Sequence, residues 1–108
     1  MSQLVEWAEG ETAPRDFPLT DAGVPFDLAG ATLSLILHDA GEAAVSNPGT
    51  VAIQGASANG IARFTPTDSS VLQAKKSPYR ARFKAVKAGQ DYYFPNDKPG
   101  DRWEVGKQ

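Results

Sequence analysis

Two stretches of the chain alternate regularly between apolar and polar positions. In Ala31–His38, leucines occupy every second position. In Tyr79–Lys87, aromatic and small apolar residues alternate with Arg80, Arg82 and Lys84. A period of two predicts β-strands with one buried and one outward face. The second strand therefore places its three basic side chains on the outer face.

Weaker versions of the same alternation occur elsewhere. They predict strands at Leu4–Ala8, Arg15–Thr20, Thr50–Gly55, Ile61–Thr65, Asp91–Phe94 and Arg102–Val105. The one helical candidate is Pro66–Ala74, where Thr67 or Asp68 could cap a single turn that buries Val71 and Leu72. About eight short strands with at most one short helical turn favour an antiparallel β-sandwich over a barrel.

Turn signals separate the predicted strands. Asp21-Ala22-Gly23 and Asp39-Ala40-Gly41 each combine an Asp, which can accept a local backbone hydrogen bond, with a Gly that tolerates positive φ. Ala58-Asn59-Gly60 and Lys87-Ala88-Gly89-Gln90 are hairpin signals. The last hairpin joins the basic strand directly to the aromatic strand at Asp91–Phe94.

Three consecutive aromatic residues follow that hairpin. Strand geometry sends Tyr92 and Phe94 to one face and Tyr93 to the other. Pro95 cannot donate to a sheet ladder, so it ends the strand, and Asn96-Asp97 turns the chain. Two interpretations stay open. The aromatic residues fill the core at a strand end, or Tyr93 and the following loop form a contact surface.

The composition is that of one ordinary globular domain. The 108 residues fit a single domain over 1–108, with a loose tail at 106–108. There is no cysteine, so disulfides and thiolate metal sites are excluded. The first residues lack a secretion signal, and no apolar run approaches the ~18 residues that cross a bilayer. We expect a soluble protein with no export signal and no membrane span.

Charge is distributed unevenly along the chain, although the net charge is only −2. Up to Glu42 there are eight acidic residues and one basic residue, Arg15. Lys75–Lys87 contains six basic residues and no acidic one. These opposite charges can pair inside the fold or between subunits, and both possibilities stay open. The negative sum argues against nucleic acid as a partner.

The sequence has no recognisable catalytic or cofactor pattern. The only histidine, His38, lies at a strand end beside a predicted turn. Glycine-rich phosphate loops are absent from the sequence. The spacing of Asn96, Asp97 and Asp101 matches no calcium-binding loop. We therefore expect no enzyme activity, no cofactor and no metal site.

Four segments in a particular order resemble a known family. They read "DLAGAT" at 27–32, "GIARFTPTD" at 60–68, "YRARF" at 79–83 and "FPND" at 94–97. This order resembles the N-terminal immunoglobulin-like domain of phage baseplate upper proteins and related tail modules. The matching positions are Asp27, Leu28, Gly30, Ala31, Thr32, Gly60, Ile61, Phe64, Asp68, Tyr79, Ala81, Phe83, Phe94, Pro95, Asn96 and Asp97. The resemblance covers about 15–105 and implies an immunoglobulin-like antiparallel β-sandwich.

This resemblance implies a structural role in a bacteriophage tail or baseplate. The chain would be a virion protein, made in the cytoplasm of the host bacterium, that contacts other tail proteins and copies of itself. We expect the basic strand to meet an acidic surface and 1–12 to act as a docking arm, although Trp7 could equally fill the core. The expected partner-contact residues are Trp7, Glu9, Glu11, Arg80, Arg82, Lys84, Tyr93, Asn96 and Asp97.

An alternative function belongs to a different class. An immunoglobulin-like module can bind carbohydrate or a host surface through grouped, exposed aromatic side chains. Tyr92, Tyr93 and Trp103 form the only such grouping that the sequence offers. The two functions therefore differ in whether these three residues share one exposed surface.

Overall fold

The computed structural model describes residues 4–95 and 100–106. Within these ranges the chain forms strands β1 Leu4–Ala8, β2 Arg15–Pro18, β3 Thr20–Asp21, β4 Val24–Pro25, β5 Thr32–His38, β6 Gly49–Ile53, β7 Ile61–Pro66, β8 Tyr79–Lys87, β9 Gln90–Phe94 and β10 Asp101–Gly106. Two short 3₁₀ turns, Ser57–Asn59 and Ala74–Lys76, complete the described secondary structure. The all-β prediction is confirmed. No helix in these ranges has the length and apolar character needed to cross a membrane.

The strands form two main sheets in a sandwich-like arrangement. The five-stranded sheet has the order β1-β10-β8-β5, and β9 also pairs with β8. The three-stranded sheet has the order β2-β7-β6, and β3 and β4 form a small hairpin. The described pairs are antiparallel except for β1 and β10, which are parallel. The purely antiparallel prediction is corrected at this pair, because residue alternation carries no information about the direction of a distant partner.

Strands β9 and β10 lie one after the other along the same side of β8. β9 pairs with Phe83–Lys87, and β10 pairs with Tyr79–Ala81. Since both are antiparallel to β8, they run in the same direction. Strand β1 lies beside β10. Within the described chain, no strand pairs with the edge of β9 that faces away from β8.

The predicted turns lie where the sequence places them. In the β3-β4 hairpin, Ala22 and Gly23 have φ values of 52° and 81°. In the β8-β9 hairpin, Ala88 and Gly89 have φ values of 52° and 77°. Positive φ at both central residues is the type I′ arrangement, whose twist matches that of two paired strands. The Asp39 carboxylate accepts hydrogen bonds from the backbone N–H groups two and four residues on.

Pro66–Ala74 contains no α-helix, but the predicted single turn that starts at Asp68 is present, with the backbone N of Val71 3.4 Å from the carbonyl oxygen of Asp68. Asp68 caps this turn as predicted, since its Oδ1 accepts a 2.8 Å hydrogen bond from the backbone N–H of Ser70. A 3₁₀ turn follows at Ala74. Val71 and Leu72 are buried, as expected.

The end of the chain differs slightly from the prediction of a loose tail at 106–108. Gly106 is the last residue of β10 and pairs with Ala8 on β1. The tail prediction is therefore corrected at Gly106, because the sheet extends one residue further than the apolar pattern. Residues 107–108 lie outside the described ranges.

Aromatic rings from both sheets meet in the core around Trp103, whose side chain is fully buried. Its ring centroid lies 4.9 Å from that of Trp7 on β1 and 5.3 Å from that of Phe17 on β2. It lies 5.6 Å from that of Phe64 on β7 and 6.4 Å from that of Phe83 on β8. These contacts join the two sheets, and rings at such distances interact favourably beyond their burial.

Tyr79, the first residue of β8, links that strand to the loop before it. Its hydroxyl donates a 3.0 Å hydrogen bond to the carbonyl oxygen of Val71 and accepts a 3.0 Å bond from the N–H of Gln73. Burial raises the pKa of the Tyr79 hydroxyl above its ordinary value. The hydroxyl therefore satisfies two backbone groups of a segment that has no regular secondary structure.

We expect Tyr79→Phe to lower the free energy of unfolding by about 1–3 kcal/mol, because it leaves backbone groups of Val71 and Gln73 without their partner. Urea denaturation measures the change. Tyr93→Phe is the matched control, since the Tyr93 hydroxyl makes no hydrogen bond to the described residues. Equal unfolding midpoints for the two variants would contradict this role of Tyr79.

Candidate functional site

The outer side of β8 carries the predicted basic residues Arg80, Arg82 and Lys84. All three are half-buried, whereas the residues between them point into the core. We call this surface the basic face. The outward position of these three side chains confirms the strand orientation that the alternating pattern predicts. Because β5 separates it from the sheet edge, the basic face is a broad surface rather than a rim.

Neighbouring strands add further titratable and basic groups to one end of the basic face. His38 on β5 and Arg102 on β10 are the cross-strand neighbours of Arg80. Arg102 has an ion pair with Glu104 at 2.7 Å, whereas Arg80 makes no ion pair with the described residues. Like charges directly opposite one another destabilise a sheet. Arg80 is therefore well placed to gain from an external anion.

Arg82 and Lys84 are held in position by β9 and the residue after it. The guanidinium of Arg82 lies 4.4 Å from the centre of the Tyr93 ring, and its Nε donates a 3.2 Å hydrogen bond to the carbonyl oxygen of Pro95. Lys84 Nζ lies 3.7 Å from an Asp91 carboxylate oxygen. The stacked geometry orders the Arg82 side chain before any partner binds, which reduces the entropy lost on binding.

A shallow cleft of about 590 Å³ lies on this face. We call it the basic cleft. It is lined by Ile36, His38, Asp39, Glu42, Arg80, Arg82 and Tyr93. The Asp39 carboxylate is already engaged by the N–H groups of its own turn. The Glu42 carboxylate lies on the same wall as Asp39. The two guanidinium groups beside the Tyr93 ring can bind carboxylates of a partner surface on the side of the cleft away from Asp39 and Glu42.

The three aromatic residues of the carbohydrate-binding alternative do not share one exposed surface. Tyr93 lies on the basic face, and Trp103 is in the core. Tyr92 points to the inner side of β9, where its ring centroid is 4.9 Å from that of Phe26. The predicted orientation of the three consecutive aromatic residues is correct, but a sugar ring cannot contact Tyr92, Tyr93 and Trp103 together.

The N-terminal segment is part of the fold from Leu4 onward, where the described residues begin. Residues 4–8 form β1, and Trp7 is only 4% exposed. The Arg15 guanidinium lies 4.0 Å from the centre of the Trp7 ring and donates a 2.8 Å hydrogen bond to the carbonyl oxygen of Glu6. The docking-arm interpretation is corrected here: Trp7 is a core residue, and its side chain is closed to a partner.

Glu9 and Glu11 have partners inside the molecule. A Glu9 carboxylate oxygen accepts a 3.1 Å hydrogen bond from the backbone N–H of Ala74. Glu11 accepts a 3.0 Å bond from the N–H of Ala8 and has a 3.2 Å ion pair with Arg15. These two carboxylates hold the start of the chain against the body of the domain, which is a different role from the predicted docking contact.

The ion pairs between described residues leave the two oppositely charged segments unmatched. They join Glu11 to Arg15, Asp16 to Arg63, Lys84 to Asp91 and Arg102 to Glu104. None of them joins a residue of 1–42 to the basic run at 75–87. The hydrogen bond from the Arg63 guanidinium lowers the pKa of the Asp16 carboxyl group. Within the described ranges, these ion pairs therefore do not neutralise the basic run with the acidic segment.

Two predicted contact residues, Asn96 and Asp97, lie outside the described residues, and so does most of the calcium-loop candidate. In the described part of the chain, no group of three His, Asp or Glu side chains is close enough to hold a metal ion. His38 lies in the basic cleft beside Arg80. Among the described residues that line this cleft there is no serine, threonine or cysteine for His38 to activate.

Sequence reasoning missed a second cleft, of about 880 Å³, between β9 and the β2-β3 segment. We call it the aromatic cleft. It is lined by Phe17, Pro18, Leu19, Thr20, Asp21, Ala22, Gly23, Phe26, Phe83, Asp91, Tyr92, Tyr93, Phe94, Pro95 and Asp101. The sequence contains one signal for this cleft. Pro18 lies within a predicted strand, and because proline in a sheet is confined to edges, it indicates that this strand has an unpaired edge.

Comparison with protein-family models, with curated proteins and with solved structures gives no match to this chain. The two clefts, the basic face and the sequence motifs are therefore the features that bear on its function.

We expect both tryptophans to be shielded from solvent in the native protein, because Trp7 and Trp103 are buried. Acrylamide quenching of the native fluorescence should be several-fold weaker than that of the urea-unfolded chain and should fit a single class of emitter. A second, strongly quenched class would mean that Trp7 is exposed, as a docking arm requires.

Proposed function

We propose that the chain is an immunoglobulin-like structural module of a bacteriophage tail or baseplate. In this role it is a virion protein, made in the cytoplasm of the host bacterium. It is present in many copies and joins other tail proteins to one another and to copies of itself. It acts through protein–protein contacts and catalyses no reaction.

The strand order supports the immunoglobulin-like assignment. An immunoglobulin sandwich places strands B, E and D in one sheet and C, F and G in the other. The orders β2-β7-β6 and β10-β8-β5 follow the same connectivity. Tyr79 at the start of β8 also bonds to the backbone eight residues upstream, at Val71, as the tyrosine of a tyrosine corner does in such domains.

The residues that carry the family resemblance occupy positions where the structure restricts the residue type, which also supports the proposal. The Asp27 carboxylate accepts a 3.0 Å hydrogen bond from the N–H of Ala29 in the turn before β5. Gly60 has a φ of 67°, and a Cβ there would lie 2.8 Å from the carbonyl oxygens of Leu19 and Phe26. Phe64 is fully buried. Such positions tolerate few residue types. The presence of all the matching residues in one chain is therefore more specific evidence for the family than any single motif.

The basic face is the observation that carries the assembly role. Arg80, Arg82 and Lys84 project from one strand, and Arg82 is already ordered by Tyr93. The acidic segment at the start of the chain does not neutralise them through the described ion pairs. An acidic surface on a neighbouring subunit fits this face. Contacts between two different patches can build a ring, as a multi-copy tail component requires.

Sedimentation velocity over a wide concentration range tests self-association through this face. We expect discrete oligomers at low salt that dissociate toward monomers at about 1 M salt, where the Debye length falls to about 3 Å. The variant Arg80→Gln, Arg82→Gln, Lys84→Gln should remain monomeric under all conditions. A wild-type protein that is monomeric at every concentration and salt level would contradict self-association.

The control variant removes the same charge elsewhere. Lys75→Gln, Lys76→Gln and Arg63→Gln together also subtract three positive charges, from an exposed turn and from the other sheet. This variant should associate like the wild type. If it dissociates equally, net charge rather than the basic face controls the assembly.

A further inference from the structure

We propose that the aromatic cleft receives an extended segment of another protein, which adds as a strand to the free edge of β9. That segment carries apolar side chains at alternate positions and basic residues between them. The inference rests on the proposed function, because it names a second partner contact of the same structural module. Strand addition of this kind combines main-chain hydrogen bonds with pockets for every second side chain.

The edge of β9 offers unused backbone groups. The two-residue turn at Ala88-Gly89 makes Lys87 and Gln90 a closing hydrogen-bonded pair. Hydrogen-bonded and non-hydrogen-bonded pairs then alternate, so Asp91 and Tyr93 direct their N–H and C=O groups away from β8. No described residue pairs with these four groups. They form a short template for an added strand.

The opposite wall of the cleft does not offer such an edge. Strand β2 pairs with β7, and the N–H of Leu19 just beyond it donates a 2.7 Å hydrogen bond to Gly60 on the β7 side. Since backbone groups alternate in direction, the preceding residue, Pro18, directs its backbone toward the cleft. Proline has no N–H and protects an edge from pairing. An incoming strand therefore bonds to β9 and not to β2.

The sheet has a place for this strand. Strand β1 lies beside β10, and β9 and β10 follow one another in the same direction along β8. A strand beside β9 would continue the row that β1 occupies beside β10. The added strand therefore extends an existing sheet edge and needs no rearrangement of the described strands.

The floor of the cleft suits alternate apolar side chains. Phe17, Phe26 and Phe94 are only half-buried, although all three pack against the core. The ring centroid of Phe26 lies 4.9 Å from that of Tyr92 and 5.1 Å from that of Phe94. Apolar side chains from an added strand would remove this surface from water, which favours binding.

The charge of the cleft specifies the remaining side chains. Side chains between the apolar positions of an added strand project to the outer side of the sheet, where Asp91, which also lines the cleft, is their neighbour on β9. The Asp91 side chain is 50% exposed, and its contact with Lys84 is long, at 3.7 Å. Carboxylates on one side of an interface select a partner of the opposite charge and speed its approach. A basic residue of the segment beside Asp91 would pair with this carboxylate, so we expect basic residues between the apolar positions of the segment.

A synthetic peptide of alternating valine and lysine, about the length of one strand, serves as the probe for strand addition. We expect saturable binding by NMR titration, with amide hydrogen exchange at Asp91 and Tyr93 slowed at least about tenfold in the complex. A peptide of alternating serine and lysine carries the same charge and should bind at least about fivefold more weakly, because it cannot fill the aromatic floor.

Two substitutions at one position separate backbone pairing from charge. Asp91→Ala and Asp91→Pro both remove the carboxylate, but only the proline removes the N–H that faces the cleft. Asp91→Pro should bind the valine–lysine peptide at least about fivefold more weakly than Asp91→Ala. Thermal unfolding of both variants checks that they fold. If Asp91→Pro does not fold, the amide hydrogen exchange measurement on the wild type tests backbone pairing instead.

Several results would overturn the proposal. One is that the valine–lysine peptide does not bind, and another is that it binds without slowing amide hydrogen exchange at Asp91 and Tyr93. A third is that the serine–lysine peptide binds as tightly as the valine–lysine peptide. Protection of the two amides that grows with protein concentration without peptide would assign the cleft to a second copy instead. Each of these results leaves the salt-dependent sedimentation test of the basic face unaffected, so the two proposals can fail separately.

Discussion

Trp103 is the residue through which the two sheets are held together. It lies on β10, and its ring neighbours come from β1, β2, β7 and β8. Because Trp7 belongs to this cluster, β1 is fixed beside β10, and Arg15 closes over it. Strand β1 is thereby held against the core through Trp7. The basic face and the aromatic cleft are the two surfaces that we propose for partners.

Strand β9 separates these two surfaces and contributes to both. Its outward residue Tyr93 orders Arg82 on the basic face, and its inward residues Tyr92 and Phe94 pack with Phe26 in the aromatic cleft. Strand β8 supports β9 through an unbroken ladder from Phe83 to Lys87. In the proposed assembly role, one hairpin therefore presents a site for an acidic partner and a site for a basic partner on opposite sides.

Local patterns in the sequence were sufficient for the strands that alternate and for the turns. The leucines of β5, the basic residues of β8 and the two-residue turn before β9 could all be predicted, because each depends on neighbouring residues only. The parallel pairing of β1, the burial of Trp7 and the aromatic cleft could not. Each depends on contacts between distant positions, such as Phe17 with Trp103, that no local pattern encodes. The turn that Asp68 caps could also be predicted, because the capping contact is made with Ser70, two residues away.

A structural role in a phage tail requires that the chain be present in the virion itself. Quantitative mass spectrometry of purified particles, from the bacterium that carries the gene, measures this. We expect the chain to copurify with intact particles at many copies each and to stay with the tail fraction after heads are removed. Its presence in the cell lysate together with its absence from purified particles would show that the proposed role is wrong.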